Sequence, residues 1–179
     1  MESEPEQAFR RAMGAFATGV TVVSAARADG RMSGITVNSL TSVSLQPRLL
    51  LWCLGDQSAR YDVFAEADIW GVTMLGAEEE ALAVRFTRAE TESIAPAETE
   101  TFAGAPVLRA GMAHLACRTH DRRVAGDHLI IIGEVMDFRA RSGAALTFFR
   151  GLYGRIDDPR DNPMSKENEN PRANRDPGS

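Results

Sequence analysis

The 179-residue sequence is poor in the residues and patterns that usually announce a function. It has only two cysteines, Cys53 and Cys117. Both sit inside apolar runs (LLLWCLG and AHLACRT), which reads as two buried thiols in a reducing compartment and not as a disulfide scaffold. No apolar run approaches the roughly 20 residues of a bilayer span. The acidic opening MESEPEQAFRRAM lacks the apolar centre of a secretory signal. Together these absences lead to the expectation of a cytoplasmic protein that makes no membrane contact. Cations are in the minority, 20 Lys and Arg against 25 Asp and Glu, for a net charge of −5. That balance argues against the broad basic surface of a nucleic-acid binder, although a local group of cations can still hold a phosphate. The motif inventory is equally bare. There is no GxGxxG, no Walker A sequence, no GxSxG and no HExxH. The spacing His114-x-x-Cys117-x-x-His120 invites a metal, but residues three apart in a strand point to opposite faces, so no metal site is expected.

What the chain does have is enough apolar side chain, 44%, for one core. The expected organisation is one domain over residues 1–156 and a disordered polar tail over 157–179, because DDPRDNPMSKENENPRANRDPGS has almost nothing to bury. Glu6 to Phe16 reads as a helix, with Phe9, Ala12, Met13 and Phe16 forming one apolar stripe. Val20 to Ala26 is β-branched and reads as a strand, followed by a turn at Asp29-Gly30. Ser33 to Ser44 continues extended. Leu49 to Leu54 is a continuous apolar run, as expected of a strand buried on both faces. Ser58 to Ala67 reads as a helix with Ser58 as its N-cap. Ile69 to Leu75 is a strand, and Glu78 to Phe86 a short helix. Thr87 to Ala103 is polar and reads as a surface loop. Three strands follow, Ala113 to Thr119, His128 to Phe138 and Ala145 to Phe149, the first two joined by a turn at Ala125-Gly126-Asp127. Strict alternation of strand and helix is absent. The expected fold class is therefore mainly β with peripheral helices, a closed or partly closed antiparallel barrel. Dimerisation is the simple way for a small barrel to cover a leftover apolar face.

Three segments stand out chemically. Met32 to Pro47 (MSGITVNSLTSVSLQP) interleaves small hydroxyls and Asn38 with apolar residues. It is either a half-exposed strand with its polar side in water, or the lining of a pocket for a planar polar ring. Flavin suits such a pocket, because its pyrimidine edge and ribityl chain match Thr, Asn, Ser and backbone groups without charge. Gly55-Asp56-Gln57-Ser58-Ala59-Arg60 is either an ordinary helix cap with a surface arginine, or a phosphate cradle made of free N–H groups, a hydroxyl and a cation. Gly126-Asp127-His128 is either a plain turn, or a strand edge from which an imidazole reaches a cleft.

These segments occur in an order that resembles the short-chain flavin reductases, the reductase components of two-component flavin-dependent monooxygenases. The similarity runs from about Phe9 to about Gly154. It is carried by FRRAMGAFATGVTVVS (Phe9 to Ser24), GITVNSLTSVSLQP (Gly34 to Pro47) and the apolar strand through Cys53 with its following Ser58. FAGAPVLRAGMAHLACRTH (Phe102 to His120), AGDHLIIIGEV (Ala125 to Val135) and LYG (Leu152 to Gly154) complete it. The sequence departs from many members at Pro47-Arg48, where they have Pro-Pro. The resemblance implies a split β-barrel of the FMN-binding, Greek-key antiparallel kind, in a homodimer. It implies an NAD(P)H:flavin oxidoreductase that uses NADH or NADPH to reduce FMN or FAD and hands the reduced flavin to a partner monooxygenase. The alternative on the same barrel is a flavin-binding electron carrier, or a reductase of another acceptor such as a corrinoid. Thr36, Val37, Asn38 and Ser39 would face the flavin, with Ser42, Cys53 and Leu54 close by. Ser58, Arg60, Arg85 and Phe86 would lie near the phosphate or adenosine end. Gly126 and Asp127 would hold His128, the one catalytic candidate, near the nicotinamide, with Tyr153 as a further contact. Hydride transfer is chemistry the cofactors carry, so the lack of a nucleophile or acid/base pair agrees with this activity.

Overall fold

The structure is a computed structural model of the chain and describes residues 3–88 and 93–161. Helix α1 (Glu4–Met13) starts with Pro5 in its first turn and with the Ser3 N–H donating to the Glu6 carboxylate at 2.6 Å. The chain then forms β1 (Thr18–Gly19), β2 (Thr21–Ala26), β3 (Met32–Val37), β4 (Thr41–Leu45) and β5 (Arg48–Gly55). Helix α2 (Tyr61–Glu66) leads to β6 (Ile69–Met74), and a 3-10 turn at Ala77–Glu79 leads into α3 (Glu80–Arg85). After them come β7 (Ser93–Ile94), β8 (Thr99–Phe102), β9 (Ala105–Leu108), β10 (Ala113–Ala125), β11 (His128–Ala140), β12 (Ala145–Phe149) and β13 (Leu152–Ile156). Among the described residues no helix is long and apolar enough to cross a membrane.

Eight strands make one antiparallel sheet in the order β4-β5-β11-β10-β6-β2-β3-β7. The ends β4 and β7 are not paired to each other, so the sheet curls without closing. Two features bend it. The long strands β10 and β11 slip register between Ala116 and Cys117 and again between Thr119 and Asp121, and such bulges sharpen the local twist. The two-stranded sheet of β8 and β9 lies against β6 and β2. Gly71 of β6 permits this approach: a Cβ there would sit 1.9 Å from the Pro106 carbonyl oxygen. Ser24 donates to the same oxygen at 2.7 Å. A third sheet, β1-β12-β13, closes one end.

The core follows the pleat. Leu50, Trp52 and Leu54 of β5 point inward, opposite Ile131 and Leu129 of β11. Trp52 packs edge-on against Phe64 (5.5 Å between centroids) and Trp70 (6.0 Å), a geometry aromatic pairs favour. A second cluster, with Val22, Leu75, Phe86, Leu108 and Leu146, fills the space under α3 and β12.

The structure corrects several sequence expectations. The Leu49–Leu54 run is not buried on both faces: Leu49, Leu51 and Cys53 are half-buried and only alternate residues reach the core. The stripe on α1 does not face the core. The helix buries no residue, Phe9, Met13 and Phe16 are 67%, 53% and 70% exposed, and Phe16 lies beyond the helix end. The expected loop over Thr87 to Ala103 contains β7, a 3-10 turn at Pro96–Glu98 and β8. α2 begins at Tyr61 and not at Ser58; the Ser58 hydroxyl accepts the Arg60 N–H at 3.2 Å one turn earlier. Attachment to the body continues past residue 156, since Asp158 is buried and its carboxylate accepts the Gly143 N–H at 3.2 Å. Most of the expected disordered tail, from residue 162 on, lies outside the described residues.

Candidate functional site

Cross-strand partners share a face of a sheet. Gly55 pairs with His128, Cys53 with Ile130 and Leu51 with Ile132, so these residues occupy the face of β5 and β11 turned away from the core. It is a half-exposed apolar floor with an imidazole at one end. Gly55 adds no side chain there: an ideal Cβ on it would lie 3.6 Å from His128 Nε2. The Asn38-Ser39 segment leaves the end of β3, and Ser39 reaches β5 beside this floor. The Ser39 hydroxyl accepts the Cys53 N–H at 3.0 Å, which pins the segment to β5. Asn38 is exposed, and its amide makes no hydrogen bond among the described residues.

The imidazole is placed by backbone. β10 and β11 are joined through Gly126 and Asp127, and Gly126 takes φ +63°, which a tight hairpin turn requires. The Asp56 N–H donates to the Asp127 carbonyl at 2.9 Å, tying the turn to the loop after β5. His128 Nδ1–H donates to the Asp127 carboxylate at 2.8 Å, which leaves Nε2 for a ligand. That bond, with the charge of Arg10 on α1 behind it, holds the Asp127 carboxyl below the usual carboxylate range. The Cys53 thiol in the floor is pushed up by burial, and the Cys117 thiol in the core is pushed up to about 12. Both are free thiols held in the neutral form.

The other residues singled out from sequence divide clearly. Ser58 stays near the floor, because its N–H donates to the Gly55 carbonyl at 3.1 Å. Thr36 spends its hydroxyl on the Ala83 carbonyl at 2.7 Å. Val37 and Leu54 point into the core, so only their backbone borders the floor. Ser42 lies opposite Leu50, on the face away from Cys53. Arg60 is buried, and its guanidinium donates to the Phe86 carbonyl at 3.1 Å and to the Arg88 carbonyl. It caps the end of α3 instead of offering a cation to a ligand. Arg85 pairs with Glu98 at 2.5 Å and stacks over Phe86 at 4.8 Å, while Phe86 itself is fully buried. Tyr153 packs on Phe148 at 5.3 Å in the second cluster, not against the His128 turn. His114 is turned to the Ala110 carbonyl at 2.8 Å and the Arg139 guanidinium at 3.3 Å.

A cleft of about 1520 Å³ adjoins the floor at Asn38 and Ser39 and runs under α1 toward β12. Arg10, Arg11, Arg141 and Arg150 line it, and no carboxylate does among the described residues. Sequence reasoning missed these arginines. The signal was present as the Arg10-Arg11 pair beside an apolar stripe, but it reads equally well as the basic last turn of any helix.

Flavin fits the floor by the chemistry of its groups: apolar side chains to meet a ring, and the neutral hydrogen-bonding groups of Ser39 and His128 beside them, with Glu134 farther along the same face opposite Leu49. Comparison with known proteins bears on the same assignment. The profile of the flavin reductase like domain matches residues 13–157. FMN reductase (NADH) SmoA of Agrobacterium fabrum is 41% identical over 154 residues, 86% of this chain and 87% of that protein. Two further curated relatives are longer, and the chain spans 48% and 64% of their length. The NADH:FAD oxidoreductase SgcE6 of Streptomyces globisporus, solved with NAD and FAD fragments, superposes with a TM-score of 0.78 at 30% identity, covering 87% of this chain and 96% of that one. The styrene monooxygenase flavin reductase of Pseudomonas putida S12 superposes with a TM-score of 0.76 at 29% identity, covering 83% and 97%. The mainly β architecture is the split-barrel-like fold of these reductases. By the profile match over most of its length and by these relatives, the chain belongs to the flavin reductase like domain family.

Proposed function

We propose that this chain is an NAD(P)H:flavin oxidoreductase that reduces FMN or FAD and releases the reduced flavin to a partner monooxygenase. One observation carries the reading: Cys53, Gly55, Ile130 and His128 share one open face of β5 and β11, and Ser39, next to Asn38, is bonded to Cys53 at its edge. The names of the relatives support it, since one is an NADH-dependent FMN reductase, one an NADH:FAD oxidoreductase and one the reductase of a styrene monooxygenase. Bound flavin supplies the hydride-accepting chemistry. The protein's work is placement, which turns a meeting of two solutes into a nearly unimolecular step.

Each residue then has a defined task. Cys53 and Ile130 give the ring an apolar floor. The Asn38 amide and the backbone of Asn38 and Ser39 would face the polar edge of the ring and stabilise negative charge gathering there. His128 Nε2, oriented by the bond from Nδ1 to Asp127, would hold the nicotinamide carboxamide over the ring. Gly55 leaves the space this needs. No residue here has to move a proton for the hydride to pass. A second copy of the chain would cover part of the exposed apolar side chains, among them Leu45 and Leu152 at 86% and 73% exposure.

Anaerobic mixing of NADH with the protein and FMN or FAD tests the proposal. Loss of the flavin's visible absorbance is expected, with the reduced flavin passing a filter that retains the protein. Persistent yellow colour with both flavins would make the chain a carrier. His128→Ala is expected to lower kcat/KM for NADH about tenfold, or ~1.4 kcal/mol, while flavin affinity stays within twofold. Unchanged kinetics in that variant would remove His128 from the site.

A further inference from the structure

Helix α1 has an apolar stripe with nothing packed on it. Phe9 and Met13 of the helix, and Phe16 just past it, are all exposed, and the helix buries no residue. Large apolar side chains left in water carry a driving force for burial. The helix is tied to the body just past its C-terminal end, where the Gly14 carbonyl accepts the Arg150 N–H at 2.9 Å. Gly14, Ala15 and Ala17 lie in the short turn that then leads to β1, and small residues at the end of an element suit a hinge.

The candidate site lies beside this helix. Met13, Gly14 and Phe16 line the same cleft as Asn38 and Ser39, the segment bonded to Cys53 at the edge of the floor. Farther up the helix, Glu6 and Arg10 both interact through space with Asp127, the residue that orients His128. α1 therefore stands next to both the Asn38-Ser39 margin and the His128 turn. The cleft, about 1520 Å³, exceeds the roughly 300–1,000 Å³ of a pocket fitted to a small molecule, so a bound ring leaves the helix room to move inward.

We infer that α1 is a lid, which turns about residues 14–17 and lays Phe9 and Met13 over a flavin ring on the floor. The lid rests on the flavin reductase reading and gives that site a moving second wall. Its occupant follows from position and chemistry. A flat ring has two faces, and the floor meets one of them. An aromatic ring and a thioether are good partners for the other. Closure excludes water from the reacting rings. A helix with no buried residue along its length also reopens readily, as release of reduced flavin to another enzyme requires.

Trypsin reports where the lid stands, because the exposed Arg10 and Arg11 are cleavage sites within it. Wild type, Phe9→Leu, Phe9→Ser, Met13→Ser and the Phe9→Ser, Met13→Ser double variant are digested briefly with and without FMN or FAD. Mass spectrometry follows loss of the N-terminal peptide, and fluorescence titration gives flavin affinity separately. Saturating flavin is expected to slow cleavage after Arg10 and Arg11 about tenfold in wild type, since cleavage tracks the open population. The double variant should lose that protection and bind flavin about tenfold more weakly, at an unchanged melting temperature. Phe9→Leu, which keeps the apolar contact, should stay protected. Flavin that binds wild type yet leaves cleavage as fast, or that binds the double variant as tightly, would overturn the lid and leave the flavin site standing. Protection that needs no flavin and grows with protein concentration would give the stripe to a second copy, and would also overturn the lid. A folded wild type that binds neither flavin would defeat the reductase reading, and the lid with it.

Discussion

Asn38 and Ser39 sit side by side and do different jobs. The Ser39 hydroxyl bonds β5, whereas the Asn38 amide is exposed and makes no hydrogen bond among the described residues. Asn38→Ala should therefore weaken flavin binding by the net value of one or two hydrogen bonds, about 0.5–1.5 kcal/mol each, and leave the melting temperature unchanged. Fluorescence titration with FMN measures the first and calorimetry the second; loss of stability without loss of affinity would make Asn38 structural. The cysteines give a pH dependence of stability. An unfolded thiol ionises near 8.5, whereas burial raises Cys117 to about 12, with Cys53 shifted the same way. Above about pH 8.5 the unfolded chain loses protons that the folded chain retains, so stability falls as pH rises toward 12. Urea unfolding at pH 7 and pH 10 should show that fall, and Cys117→Ala should make it shallower. At this scale the sequence made the placement of His128 legible, beside the Gly126-Asp127 turn that joins β10 and β11. It was illegible for Arg60 and Arg85. An arginine's local sequence does not say whether its guanidinium will meet a ligand or the carbonyls of a helix end, and here it met the latter and a glutamate.

At the level of elements, the crossing of β9 over β6 makes the most specific demand. Gly71→Ala would drive a Cβ into the Pro106 carbonyl, and neither strand can shift without breaking its pairing. A loss at or beyond the upper end of overpacking costs, about 3 kcal/mol, is expected in urea unfolding. A loss under about 1 kcal/mol would mean that β9 can lift away. The exposed helix α1 is the contrast: Phe9→Ser should change stability by less than about 0.5 kcal/mol despite removing a large apolar side chain. Strands β2, β5, β6, β10, β11 and β12 were read from sequence, and in β2, β6 and β11 β-branched runs let pattern and propensity agree. β8 was missed because TETF alternates polar residues, and β9 because Pro106 interrupts a short run. Their pairing is a tertiary fact, set by where β6 leaves room. β13 was legible only as the LYG motif. The α1 stripe was read correctly as apolar, but periodicity does not say whether the surface it meets belongs to the same molecule.

Across the whole molecule, negative charge predominates while one cleft is positive, and this separation shapes encounter. An anion is repelled by most of the surface and attracted by the arginines of the cleft, an effect that salt screens over about 8–10 Å. The KM for NADH should therefore rise with sodium chloride between about 20 and 300 mM while kcat stays level. Salt-independent kinetics would show that the field does not guide binding. Sedimentation will report whether the exposed Leu45 and Leu152 are covered by a second copy. Finally, the hairpin of β10 and β11 places the imidazole from the tip of a ladder that also forms the centre of the sheet. His128 is followed in β11 by the core residues Leu129 and Ile131, so loosening of this end is expected to accompany loss of the core. Thermal inactivation should coincide with global melting, with no temperature window in which a folded chain is idle.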